Sequence, residues 1–243
     1  MQVVKLSEKL NCPLVVCLGY FGCMHKGHVA LVDKAKRRAC ERGAATALFT
    51  FSNDHLKVLG KGGASLYSFY ERLSLYESAG VDFVINCEFD ESFRALSGEE
   101  FLSALLKFDL RGIVCGFDYC CGSDRMDCFA LKEYFADKVL VDIVDRVSIG
   151  SEKISTSMIK RLLAEHKIED ADRLLSEPYF ISGKVVSGRG VGRELGFPTA
   201  NVEVFPDKLL PVGVYGGTSV IDGLEYKCIV NVGQIPTFGI TST

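Results

Sequence analysis

Two histidines three residues apart, His25 and His28, bracket Gly27 in the stretch LGYFGCMHKGH, residues 18–28. An apolar run, Pro13–Leu18, precedes them and reads as a buried strand, while His28–Arg42 reads as a helix. A helix start presents unpaired N–H groups and partial positive charge. Gly27 lets backbone approach a ligand, and two imidazoles at i and i+3 can donate to one anion, an arrangement suited to phosphate. A second helix start, ISTS at 154–157, adds the hydroxyls of Ser155, Thr156 and Ser157, with Lys160 just beyond. Two helix starts with His and Lys suit a triphosphate.

Plainer readings stand beside this one. A lone histidine at a loop–helix junction is commonly a cap or a surface residue, and the STS run alone is more often an N-cap. Cys23, His25, His28 and Cys120 could hold zinc, but they lack a familiar ligand spacing. The chain has ten cysteines and no Cys-x-x-Cys pair. Cys17, Cys87 and Cys115 sit in apolar runs and read as small buried hydrophobes. Cys120 and Cys121 flank the presumed site.

The elements that must position these groups alternate. Strand-like runs cover 13–18, 45–51, 81–87, 112–117 and 139–145, and they barely alternate with polar residues, as parallel strands covered on both faces do. Helical patterns lie between them. Leu31, Ala35 and Ala39 share one face before Gly43; Phe69, Leu73 and Tyr76 share another; SGEE at 97–100 is a capping box; a fourth helix covers about 128–136. Two more follow at 155–166 and 168–175. The fold class is α/β, a doubly wound parallel sheet. In such sheets ligands bind beyond the carboxyl ends of the strands. Polar residues gather there four times: His25 and His28; Asn53, Asp54 and His55; Asp118, Asp124 and Arg125; and the 155–160 segment.

After Pro178 the pattern changes to short, glycine-rich strands, with Asp222-Gly223 as a hairpin signal. The expected domains are therefore 1–178 and a second, all-β unit over 179–243. A net charge of −3 argues against broad nucleic-acid binding. No apolar run reaches membrane-spanning length, and the N-terminus lacks a leader pattern, so cytoplasm is the expected compartment.

His-x-Gly-His after the first strand, with ISTSMIK late in the same domain, resembles the HxGH nucleotidylyltransferases. GVDFVINCEFDESFRALSGEEF (80–101), GIVCGFDYCCGSDR (112–125), GRGVGRELGFPTANV (188–202) and NVGQIPTFG (231–239) resemble, in order, blocks of the bacterial bifunctional riboflavin kinase/FAD synthetase family. The resemblance implies a Rossmann-like domain that transfers AMP from ATP to FMN with Mg²⁺, giving FAD and pyrophosphate. It also implies a partial Greek-key β-barrel that phosphorylates riboflavin. By that resemblance His25, His28 and Lys160 are catalytic. Gly19, Phe21, Gly27, Asp118, Arg125, Ser155, Thr156 and Ser157 contact ATP. Gly192, Arg193, Gly196, Pro198, Thr199 and Asn201 bind the kinase substrates, with Thr199 and Asn201 on Mg²⁺. Thr199 and Asn201, two apart in an extended segment, share one face and offer oxygen to a hard cation. The implied partners are the small molecules ATP, FMN and riboflavin.

Several positions depart from the family pattern. Tyr20, Gly22 and Cys23 replace Asn, Asp and Gly; FSNDHL at 51–56 has lost two prolines; Met158 and Lys160 stand where arginines are usual. The kinase barrel of the family has six strands, and residues 179–243 reach about half of it. These departures keep two alternatives open: a different nucleotidylyltransferase, which the kinase signature argues against, and a relative that binds flavin or nucleotide without turnover.

Overall fold

The computed structural model describes residues 1–136, 138–188 and 199–233. The strands of the first part are β1 (Gln2–Lys5), β2 (Pro13–Leu18), β3 (Ala45–Phe51), β4 (Phe83–Cys87), β5 (Asp109–Gly116), β6 (Cys120–Cys121), β7 (Met126–Asp127), β8 (Leu140–Val144), β9 (Ser148–Ile149) and β10 (Glu152–Lys153). The helices are α1 (Lys26–Glu41), α2 (His55–Val58), α3 (Phe69–Ser78), α4 (Glu91–Ala95), α5 (Gly98–Leu105), α6 (Cys128–Tyr134), α7 (Thr156–Ala164) and α8 (Ile168–Asp172).

Six strands form one parallel sheet in the order β1-β4-β3-β2-β5-β8. Successive residues of a strand point to opposite faces, so each strand feeds two cores. Val15, Cys17, Leu48 and Val84 pack with Val32 and Ala35 of α1, Leu75 and Tyr76 of α3, and Ile159 of α7. Leu14, Val16, Leu18, Phe49 and Ile113 pack on the other face with Phe101 and Leu105 of α5 and Leu131 of α6. The sheet is therefore covered on both faces, as its unbroken apolar runs require. The edge strand β1 has no counterpart in the sequence reading; only Val4 of its four residues is buried, so no periodic signal marks it.

The strand order reverses at β2: β3 and β4 lie to one side, β5 and β8 to the other. That reversal splays the two following loops apart and opens a crevice at the strands' carboxyl ends.

Beyond α8 the strands are β11 (Lys184–Val186), β12 (Asn201–Glu203), β13 (Gly213–Ile221) and β14 (Leu224–Val232). In the segment YFISGKVV, 179–186, only the last three residues form a strand, because Tyr179 and Phe180 instead pack against the α/β core. β13 and β14 pair through Asp222 and Gly223, whose φ values of 51° and 80° are both left-handed, the geometry of a tight hairpin turn. Among the described residues this part forms two separate two-stranded antiparallel sheets rather than a barrel. All ten cysteines are free thiols.

Candidate active site

A cavity of ≈ 580 Å³ lies in the crevice beyond β2, β3 and β5. Its volume falls within the usual range for small-molecule sites. Three of the four histidines, His25, His28 and His55, line it.

The helix α1 begins two residues earlier than its sequence pattern suggests, so His25 is its N-cap. Nδ1 of His25 accepts the backbone N–H of His28 at 3.2 Å. That bond leaves the proton of the neutral ring on Nε2, making His25 a hydrogen-bond donor there. Nδ1 of His28 lies 2.5 Å from the carbonyl oxygen of Cys23. A carbonyl only accepts, so this Nδ1 carries the proton, and Nε2 of neutral His28 is an acceptor. The two rings stack at 3.8 Å and 15°. A Cβ on Gly27 would meet the His25 ring at 3.0 Å. Gly27 thus makes room for its neighbour's imidazole, a role different from the close backbone approach expected of it.

Burial pushes the His25 imidazole down to about 2, with the His28 ring adding to the effect, and burial pushes His28 down to about 4. Both are neutral near pH 7. The expectation of two donors is therefore corrected: the pair offers one donor and one acceptor, and His28 donates from Nε2 only after taking up a proton. The same bonds bear on zinc. Cys23, His25 and His28 have potential ligand atoms within 4.8 Å of one another. However, the cap commits the Nδ1 lone pair of His25 and puts a proton on its Nε2, which suits an anion rather than a cation. Burial also holds the Cys23 thiol up at about 11.

Asp118, Arg125, Ser155, Thr156, Gly19 and Gly27 line the cavity with the histidines. Ser155 is the N-cap of α7, its hydroxyl accepting from the Met158 N–H at 3.2 Å. Phe21 does not line the cavity. It is fully buried, its ring 4.9 Å from His28, in a left-handed backbone conformation at φ 48°. Ser157, the second residue of α7, and Lys160, one turn in, are also absent from the lining. Asn53 clamps the backbone of Phe89, Asp54 caps α2, and Asp124 accepts from the Gly98 N–H at the start of α5; all three are structural. Thr199 and Asn201 are exposed, and Asn201 opens β12. Gly192, Arg193, Gly196 and Pro198 lie outside the described residues.

The sequence reading missed Lys153. It stands on the small β9–β10 hairpin, lines the cavity, pairs with Asp118, and lies 4.9 Å above the Phe117 ring. Its position two residues before the α7 cap was the available signal. Also missed was the aromatic wall: Tyr20, Phe51, His55, Phe89 and Phe93, with Phe51 5.0 Å from Phe89 and 5.2 Å from Phe93. The lining thus combines basic and hydroxyl-bearing side chains with a cluster of aromatic rings. Gly22 explains one departure from the family pattern: a Cβ there would meet the Tyr20 ring at 2.8 Å, so Tyr20 and Gly22 fit only together.

A six-stranded parallel sheet with a histidine-capped helix at its switch point defines a Rossmann-like domain of the nucleotidyltransferase type. The model of the FAD synthetase family matches residues 7–158, and that of riboflavin kinase matches residues 175–243. The chain belongs to the bifunctional riboflavin kinase/FMN adenylyltransferase family. It is 33% identical to the bifunctional riboflavin kinase/FMN adenylyltransferase of Listeria monocytogenes, over 92% of this chain and 73% of that protein. It is 32% identical to the Escherichia coli K12 enzyme of the same name, over 96% of this chain and 76% of that one. A crystal structure of a macrolide-efflux protein from Streptococcus pneumoniae matches with a TM-score of 0.87 and 29% identity, covering 97% of this chain and 80% of that chain. Among the described residues no helix is long and apolar enough to cross a membrane.

Proposed function

We propose that the α/β part transfers AMP from ATP to FMN. A phosphate oxygen of FMN attacks the α-phosphorus of ATP, the bond to the bridging α–β oxygen breaks, and pyrophosphate leaves with the electron pair. No protein nucleophile takes part, so the protein's contribution is alignment and charge neutralisation. The observation that carries this reading is a single cavity lined both by the histidine, lysine and hydroxyl groups of two helix starts and by a cluster of aromatic rings. Nε2–H of His25, the side-chain nitrogens of Lys153 and of the Arg125 guanidinium, and the hydroxyls of Ser155 and Thr156 would hold the triphosphate. His28, protonated as the anion binds, would add the second donor. The aromatic cluster would take the flat ring system of the flavin. Lys160 and Ser157 would act from the flank of α7.

Mg²⁺ fits the oxygen donors of that lining. Asp118, Ser155 and Thr156 would hold it together with phosphate oxygens, and it would withdraw charge from the phosphoryl groups. Residues 179–243 we assign to the opening part of a riboflavin kinase-like barrel, with Thr199 and Asn201 directed to its metal and nucleotide. A cytoplasmic setting suits ATP-dependent flavin chemistry and ten free thiols. No observation among the described residues favours binding without turnover.

The test is a product assay. The purified chain, given Mg²⁺, ATP and FMN, yields FAD resolved by chromatography, and His28→Ala lowers the rate by about 100-fold or more. Absence of FAD from the unaltered chain, or a near-normal rate in the variant, overturns the reading.

A further inference from the structure

We propose that Arg72 is a positioning residue for adenylyl transfer: it holds the chain segment that delivers the histidines and the aromatic wall in one geometry, and Lys208 of the second module seats the helix that carries it. The proposal rests on the reading of the cavity given above.

Arg72, on the first turn of α3, is 2% exposed. A buried guanidinium is costly unless its donors are used. Among the described residues no carboxylate lies within ion-pair distance of it; Nη1 and Nη2 go to backbone carbonyls and to the Thr50 and Tyr76 hydroxyls at 3.2 and 3.4 Å, while the buried Nε has no partner. Nη1 donates to the Tyr20 carbonyl at 3.3 Å, and Nη2 donates to the carbonyls of Phe51 at 2.8 Å and Ser52 at 3.4 Å. The guanidinium also lies 4.9 Å above the Tyr20 ring. One side chain thus grips the loop after β2 and the end of β3.

The loop it grips is strained. Phe21 is a bulky residue with φ 48°, a conformation that persists only when its surroundings dictate it. The carbonyl of Tyr20 also accepts from Thr50 Oγ1 at 2.5 Å, and that of Phe21 accepts from the Tyr76 hydroxyl at 2.7 Å. Tyr76 is a second residue of α3. The turn then leads directly through Cys23 to His25, and the Phe21 ring supports His28. Tyr20 and Phe51 themselves line the cavity.

The start of α3 is held in turn from beyond α8. Glu71, next to Arg72, accepts from Lys208 Nζ at 3.0 and 3.1 Å, and from the backbone N–H and hydroxyl of Ser182 at 3.0 and 2.8 Å. Lys208 is enclosed by the rings of Tyr67 and Tyr179, 4.4 and 4.9 Å from its ammonium. The kinase-side segment is therefore part of the scaffold on which the transferase cavity is built.

The experiment uses the full chain with Arg72→Lys, Arg72→Met, and the double variant Glu71→Gln/Lys208→Met, which leaves no unpaired charge buried. Steady-state FAD formation, ATP binding by calorimetry and FMN binding by fluorescence quenching are measured on protein shown to be folded by its thermal transition. Misplacing the reacting groups by about 1 Å costs about 100-fold in rate. Arg72→Met is therefore expected to lose about that much in kcat and to weaken FMN binding more than ATP binding. Arg72→Lys keeps the charge but not the fork and recovers part of the loss, and the double variant moves the same parameters less. Wild-type kcat and FMN affinity in Arg72→Met overturn the proposal. So does a loss that tracks only the folded fraction, or an equal loss of both ligands that lysine does not relieve. If the unaltered chain makes no FAD, the transferase reading fails by itself. FMN binding then decides: quenching lost in Arg72→Met and retained in Arg72→Lys supports the positioning role, and equal quenching in both overturns it.

Discussion

Leu14 to Leu18 of β2 are at most 1% exposed, whereas Ile229, in the middle of β14, is 82% exposed. β2 is apolar throughout, β14 carries Leu224, Ile229, Val230 and Val232 among polar residues, and both pair with a neighbour along their length. They differ in what covers them. β2 is central in a six-stranded sheet sandwiched between helices, while β13 and β14 form a two-stranded ribbon with most positions open on both faces. Apolar patterning therefore sets where a strand forms, and only the presence of a second layer turns that pattern into burial. Most of the candidate cavity's lining stands on or beside the covered sheet, which is where a site that must hold two ligands in line can be rigid.

The contrast can be broken most sharply by cutting into each strand. Leu14→Ala should destabilise the chain by about 2–5 kcal/mol, because it empties a site with no way to refill; urea unfolding measures it, and a loss under 1 kcal/mol would mean the sheet is not the core. Next in size, Lys153→Ala should raise the ATP KM about 10-fold or more, since a charge-assisted hydrogen bond contributes roughly 1.5–3 kcal/mol. FAD assays at varied ATP check this, and an unchanged KM removes Lys153 from the site.

A pH effect follows. His25 and His28 are held below the ordinary histidine value, so below about pH 6.5 the unfolded chain binds protons that the folded chain does not. Their contribution to stability is present above pH 6.5 and is lost as pH falls toward about 4, the folded value of His28. Melting temperatures across pH 4–7 should fall on acidification, and His28→Asn should flatten the slope; an identical slope in the variant would refute the burial of that ring. Smallest of all, Ile229→Ala should change stability by no more than about 0.5 kcal/mol. A loss as large as that of Leu14→Ala would show that the ribbon is covered in solution.

Much of the transferase fold was legible because its signals are local. β2 and β3 run as their apolar stretches predict, α3 and α5 start at Ser-x-x-Glu boxes, and Asp222-Gly223 makes its hairpin. Gathering of polar residues at the strand ends also followed from the alternation of elements. What stayed hidden depends on partners far apart in the chain. Arg72 reads as a helix-surface cation, and only folding brings it under Tyr20, 52 residues away. Glu71 and Lys208 are 137 residues apart, and each buries its charge against the other, with Ser68 and Ser182 also on the carboxylate and the Tyr67 and Tyr179 rings around the ammonium. Burial would raise the Glu71 carboxyl, yet the Ser68 amide, Lys208 and Ser182 hold it below its usual value; burial lowers Lys208 to about 8 against the pull of Glu71.

By itself, then, the order of residues determined the central strands, the Ser-x-x-Glu cap of α5, the parallel sheet and the histidine motif, since each follows from the spacing and type of near neighbours. The tertiary structure alone decided which nitrogen of each histidine carries the proton, that Lys153 rather than Lys160 lines the cavity, and that an aromatic cluster shares that lining. Those features depend on distance, burial and hydrogen-bond partners, which no local pattern encodes.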